Sequence, residues 1–262
     1  MRSKSKLEST RNSHIWLVRS FLHFTPDGNN MNGTIPEELK ALRSLFHLSF
    51  YDNSLYGQLP EGLGGLSDLE EIDMQVNQLS GTIPDSYSEL RSMKNFWFYS
   101  NLLTGTIPDG LTKISSMEHF LLWDNMMEGS IPEFAINAAV RDINLLQNQF
   151  TGTLPESLYT LVRLENLYLG WNLLEGSISS EIGKLVNLKR VWFNTNLIDG
   201  PLPTEIGKLK ILNQGRLQEN QLSGPLPTQI GRMEELQDLK LDSNMLSGNI
   251  PSEIGNLKHL RK

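Results

Sequence analysis

Residues 152–176 of the chain read GTLPESLYTLVRLENLYLGWNLLEG, and this stretch decides the fold. From Leu161 to Leu174 it follows the form L-x-x-L-x-x-L-x-L-x-x-N-x-L. The alternation of Leu167 and Leu169 predicts a short strand whose apolar side chains point into a core. Stacking such strands in parallel would satisfy their backbone groups and bury the inward leucines.

The same stretch recurs along the chain at a fixed period. Most units open with a phrase G-x-[IL]-P, such as Gly105-Thr106-Ile107-Pro108, although the unit from Gly176 lacks the proline. A period of about 20–29 residues predicts a solenoid in which each unit packs on its neighbours. The opening glycines are 24 residues apart except for one step of 23, and they are Gly33, Gly57, Gly81, Gly105, Gly129, Gly152, Gly176, Gly200, Gly224 and Gly248.

These motifs resemble the plant-type leucine-rich repeat, whose consensus continues past the asparagine as L-S-G-x-I-P. Residues 221–224 and 245–248 carry that junction. The resemblance implies an α/β repeat fold, a right-handed leucine-rich-repeat solenoid with a parallel concave β-sheet and short 3₁₀ or helical turns on the convex side. Proline restricts helix length there, because it fixes φ and lacks an N–H donor.

One asparagine recurs in every unit, three residues after the second strand leucine. The resemblance implies that these side chains form a structural ladder, which hydrogen-bonds backbone groups where the strand turns into the loop. We therefore expect no ligand role for Asn53, Asn77, Asn101, Asn125, Asn148, Asn172, Asn196, Asn220 and Asn244.

The two ends of the chain are expected to differ from the repeats. Residues 1–20 are predicted to be a tail and partial cap in which Trp16 covers the first coil, and residues 21–262 the solenoid, with about ten repeats. Pro26 occupies the position of an inward leucine, which predicts a distorted first unit. The last repeat is incomplete at Lys262, so we expect the chain to be a fragment of a longer protein or a truncated gene product.

The 23-residue unit is predicted to have lost one residue between Pro132 and Ile143. Because its strand and its asparagine are kept, the deletion should lie on the convex side.

Large aromatic side chains are concentrated at positions predicted to face solvent on the concave sheet. Exposed aromatics mark interaction surfaces, and Trp and Tyr are favoured interface anchors. Strands about 4.8 Å apart should bring Trp97 against Leu121 and Tyr99 against Trp123. The predicted ligand-binding patch consists of Tyr51, Trp97, Tyr99, Leu121, Trp123, Leu146, Tyr168, Trp171, Trp192 and Arg216.

Two other interpretations of the patch stay open. The aromatic side chains could serve only to cover the sheet by packing on each other, and a row of aromatics could stack on the rings of a glycan. Charged residues flank the patch like the polar rim of an interface. They are Asp27, Asp52 and Asp73 toward one end and Arg190, Arg216 and Lys240 toward the other.

Composition excludes several kinds of chemistry. The chain has 262 residues, a net charge of −7 and no cysteine, which argues against a nucleic-acid partner and excludes thiol chemistry. No phosphate-binding or zinc-protease motif is present. His23 and His47 occupy equivalent places, but with Asp52 as the third group they make a poor metal site. We predict no catalytic residue, cofactor or metal, and a protein that is not an enzyme.

The resemblance extends to the ectodomains of plant receptor kinases and receptor-like proteins and to polygalacturonase-inhibiting proteins. It implies a non-catalytic recognition module for a protein, peptide or glycan ligand. The alternative is an intracellular scaffold for protein partners. No apolar stretch reaches the roughly 20 residues of a membrane span. The location would be extracellular or membrane-associated for part of a receptor, and cytoplasmic for a scaffold.

Overall fold

The computed structural model describes residues 22–261, and the predicted parallel strands form one ten-stranded sheet along the repeats. In each three-residue strand the central residue faces the core, and its two neighbours do not. The strands of this first sheet are His23–Phe24, His47–Ser49, Glu71–Asp73, Asn95–Trp97, His119–Leu121, Asp142–Asn144, Asn166–Tyr168, Arg190–Trp192, Gln214–Arg216 and Asp238–Lys240.

A second ten-stranded parallel sheet, which the sequence analysis did not predict, follows the ladder asparagines. The eight strands between the first and the last of this sheet each bury the residue two positions after the asparagine, such as Leu103 or Leu174. Its strands are Asn32–Gly33, Ser54–Gly57, Gln78–Gly81, Leu102–Gly105, Met126–Ser130, Gln149–Gly152, Leu173–Ser177, Leu197–Pro201, Gln221–Pro225 and Met245–Ser247.

The predicted helical turns are confirmed, and all helices of the described residues are short 3₁₀ helices. Most begin directly after the proline of the I-P phrase, whose backbone is extended. No helix within residues 22–261 has the length and apolar character needed to cross a membrane. The helices are Glu37–Ala41, Glu61–Gly65, Asp85–Glu89, Leu111–Lys113, Glu156–Thr160, Ser180–Lys184, Thr204–Lys208, Thr228–Arg232 and Ser252–Asn256.

The 23-residue unit differs from the others only on the side of the 3₁₀ helices. Residues 131–140 contain a turn instead of a helix, with Asn137 at φ 56°. The strands before and after this segment keep their register, because Ile143 pairs with Phe120 and with Leu167. The predicted position of the deletion is therefore confirmed.

Each ladder asparagine ties three segments of backbone together. In Asn101 the side-chain Nδ2 donates to the carbonyl oxygens of Met74 at 2.9 Å and Phe98 at 3.1 Å, and Oδ1 accepts from the N–H of Leu79 at 3.0 Å. The same pattern occurs from Asn53 to Asn244. The residue before each ladder asparagine has a φ of 52–57°, a left-handed conformation that costs energy outside glycine.

The core is a continuous stack of leucines with a phenylalanine-rich segment near the middle, where the rings of Phe96 and Phe98 stack at 4.3 Å. One inward position departs from the pattern, because Gly215 stands where other units have a large apolar residue. An apolar cavity of about 20 Å³ lies beside it and is lined partly by Val191, Leu217 and Leu239.

The N-terminal end of the described residues is irregular. The first strand, His23–Phe24, has only two residues and is followed by Pro26, whose carbonyl oxygen accepts a hydrogen bond from Asn53 at 2.9 Å. The predicted tail and cap of residues 1–20, including Trp16, lie outside the described residues.

Candidate ligand-binding surface

The outward side chains of the first sheet form two parallel rows, which together we call the first-sheet surface. The first row follows each central strand residue, and the second lies two residues further along. The first row contains Thr25, Ser49, Asp73, Trp97, Leu121, Asn144, Tyr168, Trp192, Arg216 and Lys240. The second contains Asp27, Tyr51, Gln75, Tyr99, Trp123, Leu146, Gly170, Asn194, Gln218 and Asp242.

Two aromatic groups occupy this surface. In the first, Tyr99 and Trp123 stack with ring centroids 4.5 Å apart and planes 15° from parallel, which confirms the predicted contact. Trp97 and Leu121 are paired in register beside them. These half-exposed rings leave one large apolar face on the solvent side of the sheet.

The second aromatic group is linked to a cation. The ring of Tyr168 meets Trp192 edge to face at 4.8 Å, and the guanidinium carbon of Arg216 lies 4.1 Å from the centroid of Trp192. Arg216 also forms an ion pair with Asp238, with 3.2 Å between Nε and Oδ2. The position of Arg216 is thus held by a carboxylate and by a ring face.

Two residues of the predicted patch are placed differently from the others. Leu146 was predicted to face solvent, but it is 8% exposed and the prediction was wrong in this respect. It stands in the second row beside the large indole ring of Trp123 on one side, while Gly170 follows on the other. Trp171 is 45% exposed but lies on the turn beside the second row, at φ 52°.

Short polar residues of the two rows are also buried, although outward positions of this sheet were predicted to face solvent. Ser49, Asp73, Gln75 and Asn194 are each less than a tenth exposed. Burial at these positions depends on residues of the adjacent coils, such as Trp97 beside Asp73, which sequence phase alone does not reveal.

Buried Asp73 has an unusual electrostatic environment. Its carboxylate accepts hydrogen bonds from the backbone N–H of Gln75 at 3.1 Å and from the Gln75 side-chain Nε2 at 2.9 Å. Burial raises the pKa of Asp73 from 3.8 to about 6, because desolvation outweighs these hydrogen bonds and the charges of Asp27 and Glu71 add to it. The group therefore carries a charge at neutral pH at an energetic cost.

Unpartnered polar atoms are concentrated on this surface. Six buried side-chain N or O atoms of the described residues lack a hydrogen-bond partner, and only Tyr87 Oη lies away from the two rows. Since buried polar groups are normally satisfied, this concentration marks a surface where a ligand could accept from two indole N–H groups and donate to three amide oxygens. The five atoms are Gln75 Oε1, Trp97 Nε1, Trp192 Nε1, Asn194 Oδ1 and Gln218 Oε1.

Histidines contact carboxylates beside the first row. His47 Nε2 lies 2.6 Å from Glu71, and the ring of His23 is 5.6 Å from that of His47. His119 Nδ1 lies 2.5 Å from Asp142, and this hydrogen bond raises the pKa of His119 against the opposing effect of burial. No group of three or more potential metal ligands occurs within residues 22–261.

Similarity to known proteins agrees with this architecture. The family model described as Leucine Rich Repeat matches residues 68–90 and 235–257. A plant peptide hormone receptor, RGFR1 in complex with RGF2, superposes with a TM-score of 0.81 and 32% identity over 90% of this chain and 42% of that chain. A search of curated proteins by sequence finds no match.

Two further structures extend the similarity. The ectodomain of the receptor kinase GASSHO1/SCHENGEN3 from Arabidopsis thaliana, in complex with CASPARIAN STRIP INTEGRITY FACTOR 2, has a TM-score of 0.73 and 30% identity over 88% of this chain and 31% of its own. A plant ice-binding protein has a TM-score of 0.73 and 27% identity, over 87% of this chain and 74% of its own.

The chain thus has the leucine-rich-repeat solenoid fold. Its repeats are of the plant type, and its solenoid resembles the ectodomains of plant receptor kinases. It spans less than half the length of the two receptor chains just described.

Proposed function

We propose that the first-sheet surface, which is concave in the leucine-rich-repeat architecture, binds a peptide or an extended segment of a protein. One observation carries the proposal, namely that five buried polar atoms without partners lie in the two rows of this surface. An extended peptide offers a backbone donor and acceptor at every residue, so it can satisfy several of these atoms at once.

The aromatic groups supply the apolar part of such an interface. The stacked pair of Tyr99 and Trp123 and the group around Trp192 are half-exposed, as are the anchors of many protein interfaces. The two receptor ectodomains described above were solved with RGF2 and with CASPARIAN STRIP INTEGRITY FACTOR 2, which also supports a peptide ligand.

The proposal can be tested by panning a random linear peptide display library on the immobilised chain. Enriched peptides should bind the double variant Trp97→Ala/Trp123→Ala at least about tenfold more weakly, a loss of about 1.4 kcal/mol. The matched control is Leu102→Ala/Leu173→Ala, which removes two exposed apolar side chains from the second sheet. The control should bind the same peptides as tightly as the wild type.

Two outcomes would contradict the proposal. One is that no peptide is enriched over an empty support. The other is that both double variants lose the same affinity, because the binding would then not depend on the first-sheet surface. Retention by an immobilised oligosaccharide array, with no peptide enriched, would assign the surface to a glycan.

A second candidate function is binding to ice, and the second sheet favours it. Exposed threonines recur directly after the repeat glycines, and their hydroxyl groups have no partner among the described residues. Their Cγ2 methyls lie 2.7–2.9 Å from the position that a Cβ would take on the glycine of the next coil. This packing fixes the orientation of Thr34, Thr82, Thr106 and Thr153, which lie in one row with Gln58 and Ser130 between them.

Small neutral groups that are spaced by the strands of a sheet can match a periodic surface such as that of ice. The plant ice-binding protein with a similar fold adds support for this candidate. The test is the growth rate of ice crystals in a frozen sucrose solution. Wild type and Trp97→Ala/Trp123→Ala should slow it equally, and Thr82→Tyr/Thr106→Tyr should not. Unchanged crystal growth with the wild type would eliminate this candidate.

A further inference from the structure

A cluster of hydrogen-bond acceptors lies at the N-terminal end of the first-sheet surface. We call Asp27, Ser49, Asp73 and Gln75 the acceptor cluster. Ser49 and Asp73 are paired in register on neighbouring strands, and the carboxylate of Asp27 accepts from the Ser49 hydroxyl and from the N–H of Tyr51 at 3.0 Å. The four residues therefore form one continuous polar site.

No cation compensates this cluster within the described residues. Neither Asp27 nor Asp73 forms an ion pair, and the nearby His47 is engaged by Glu71. The remaining charged group near Asp73 is Glu71, which is also negative. A buried carboxylate without a counter-ion is unfavourable, so a ligand that brings a positive charge would gain a strong interaction.

The acceptor cluster also contains an oxygen atom that points to a ligand. Gln75 is 8% exposed, its Nε2 is used by Asp73, and its Oε1 has no partner. An ammonium group would be satisfied by the carboxylates alone. A planar guanidinium group, with five N–H donors, can bond a carboxylate and an amide oxygen at the same time.

Aromatic side chains surround the cluster on its C-terminal side and in the second row. Trp97 is the register partner of Asp73, and Tyr51 and Tyr99 flank Gln75 in the second row. Burial, the negative charge of Asp73 and the neighbouring Tyr51 raise the pKa of Tyr99. This agrees with the position of Tyr99 close to the acceptor cluster. Guanidinium groups stack on such rings, so the walls of the site favour the same ligand group as its acceptors.

We propose that the acceptor cluster, with Tyr51, Trp97 and Tyr99 as its walls, is a subsite for an arginine side chain of the bound peptide. This inference rests on the proposed function, since it assigns one ligand group to part of the same surface. It predicts an arginine toward the N-terminal coils of the solenoid.

The test uses arginine amide as the probe and citrulline amide as its uncharged isostere. Each is titrated into the ¹⁵N-labelled full chain, and the indole N–H of Trp97 and the side-chain amide of Gln75 are followed by NMR. Arginine amide should shift both signals in a saturable way, and citrulline amide should not. In Asp73→Asn the apparent Kd for arginine amide should rise at least about tenfold.

The matched control is Asp242→Asn, which removes an exposed carboxylate from the second row of the same surface, near the other end. It should respond to arginine amide as the wild type does. Thermal unfolding of Asp73→Asn by circular dichroism checks that the variant is folded. Equal responses to the two probes, or an unchanged Kd in Asp73→Asn, would overturn the subsite. If selected peptides still required Trp97 and Trp123, the proposed function would stand without it.

Discussion

The two halves of the first-sheet surface have the same backbone and opposite polar character. In the N-terminal half, Asp27 and Asp73 have no cationic partner among the described residues. In the C-terminal half, Arg216 is fixed by Asp238 and by the face of Trp192. Inward and turn residues thus form the same scaffold in both halves. The outward residues differ between the halves and determine what each half can bind.

The largest effect is expected from the ladder, and it should be the same in both halves. Asn101→Ala and Asn196→Ala each remove a 7% exposed amide that bonds backbone groups of adjacent coils. Leaving these groups unsatisfied should cost about 3 kcal/mol in each variant. Urea unfolding followed by circular dichroism measures the loss. A cost several-fold smaller in one half would show that the two scaffolds are not equivalent.

A smaller effect should separate the halves through pH. Because the pKa of Asp73 is raised by burial from 3.8 to about 6, its contribution to stability is fully present below pH 3.8 and is lost as the pH rises through about 6. Asp73→Asn should therefore be more stable than the wild type at pH 8, by up to about 3 kcal/mol. The difference should shrink toward pH 4.

The pH experiment needs a comparison in the C-terminal half. Asp242→Asn replaces an exposed carboxylate of the second row and should leave the unfolding free energy within about 0.5 kcal/mol of the wild type at both pH values. If Asp73→Asn were less stable than the wild type at pH 8, the Asp73 carboxylate would have to have a favourable partner.

The smallest effect is expected from one substitution, glycine to alanine, made at two positions. The resulting changes in stability should have opposite signs. Gly215→Ala should stabilise by about 1 kcal/mol, because the backbone is not left-handed and the new methyl meets only side-chain ends, Leu239 Cδ1 at 3.2 Å and Leu212 Cδ2 at 3.7 Å, beside a cavity. Gly105→Ala should destabilise, because φ is 72° and the methyl would lie 2.8 Å from Thr82 Cγ2. Differential scanning calorimetry distinguishes them, and a shift of the same sign in both would contradict this explanation.

Repeat period and residue phase are enough to predict the first sheet, the 3₁₀ turns and the place of the deletion. They do not predict the second sheet, because its strands, such as Leu102–Gly105, carry one inward leucine and a glycine instead of an alternating pattern. These strands form because their backbones pair with those of the neighbouring coils.

Exposure on the first-sheet surface also depends on neighbouring coils. Phase correctly directs Asp73, Gln75 and Leu146 away from the core, yet all three are buried. What surrounds each side chain is set by residues about 24 positions away, such as Trp97 beside Asp73. The acceptor cluster was therefore missed in sequence, although its acidic members had been noted as part of a polar rim.

The most direct test of the central claim is photo-crosslinking of a library-selected peptide that carries benzoylphenylalanine, with the crosslinked residues identified by mass spectrometry. Binding at the first-sheet surface predicts crosslinks within residues 95–99, 119–123 and 166–171 that are lost in Trp97→Ala/Trp123→Ala. Crosslinks confined to the second sheet, around Leu102 and Leu173, or to the 3₁₀ helices would contradict it.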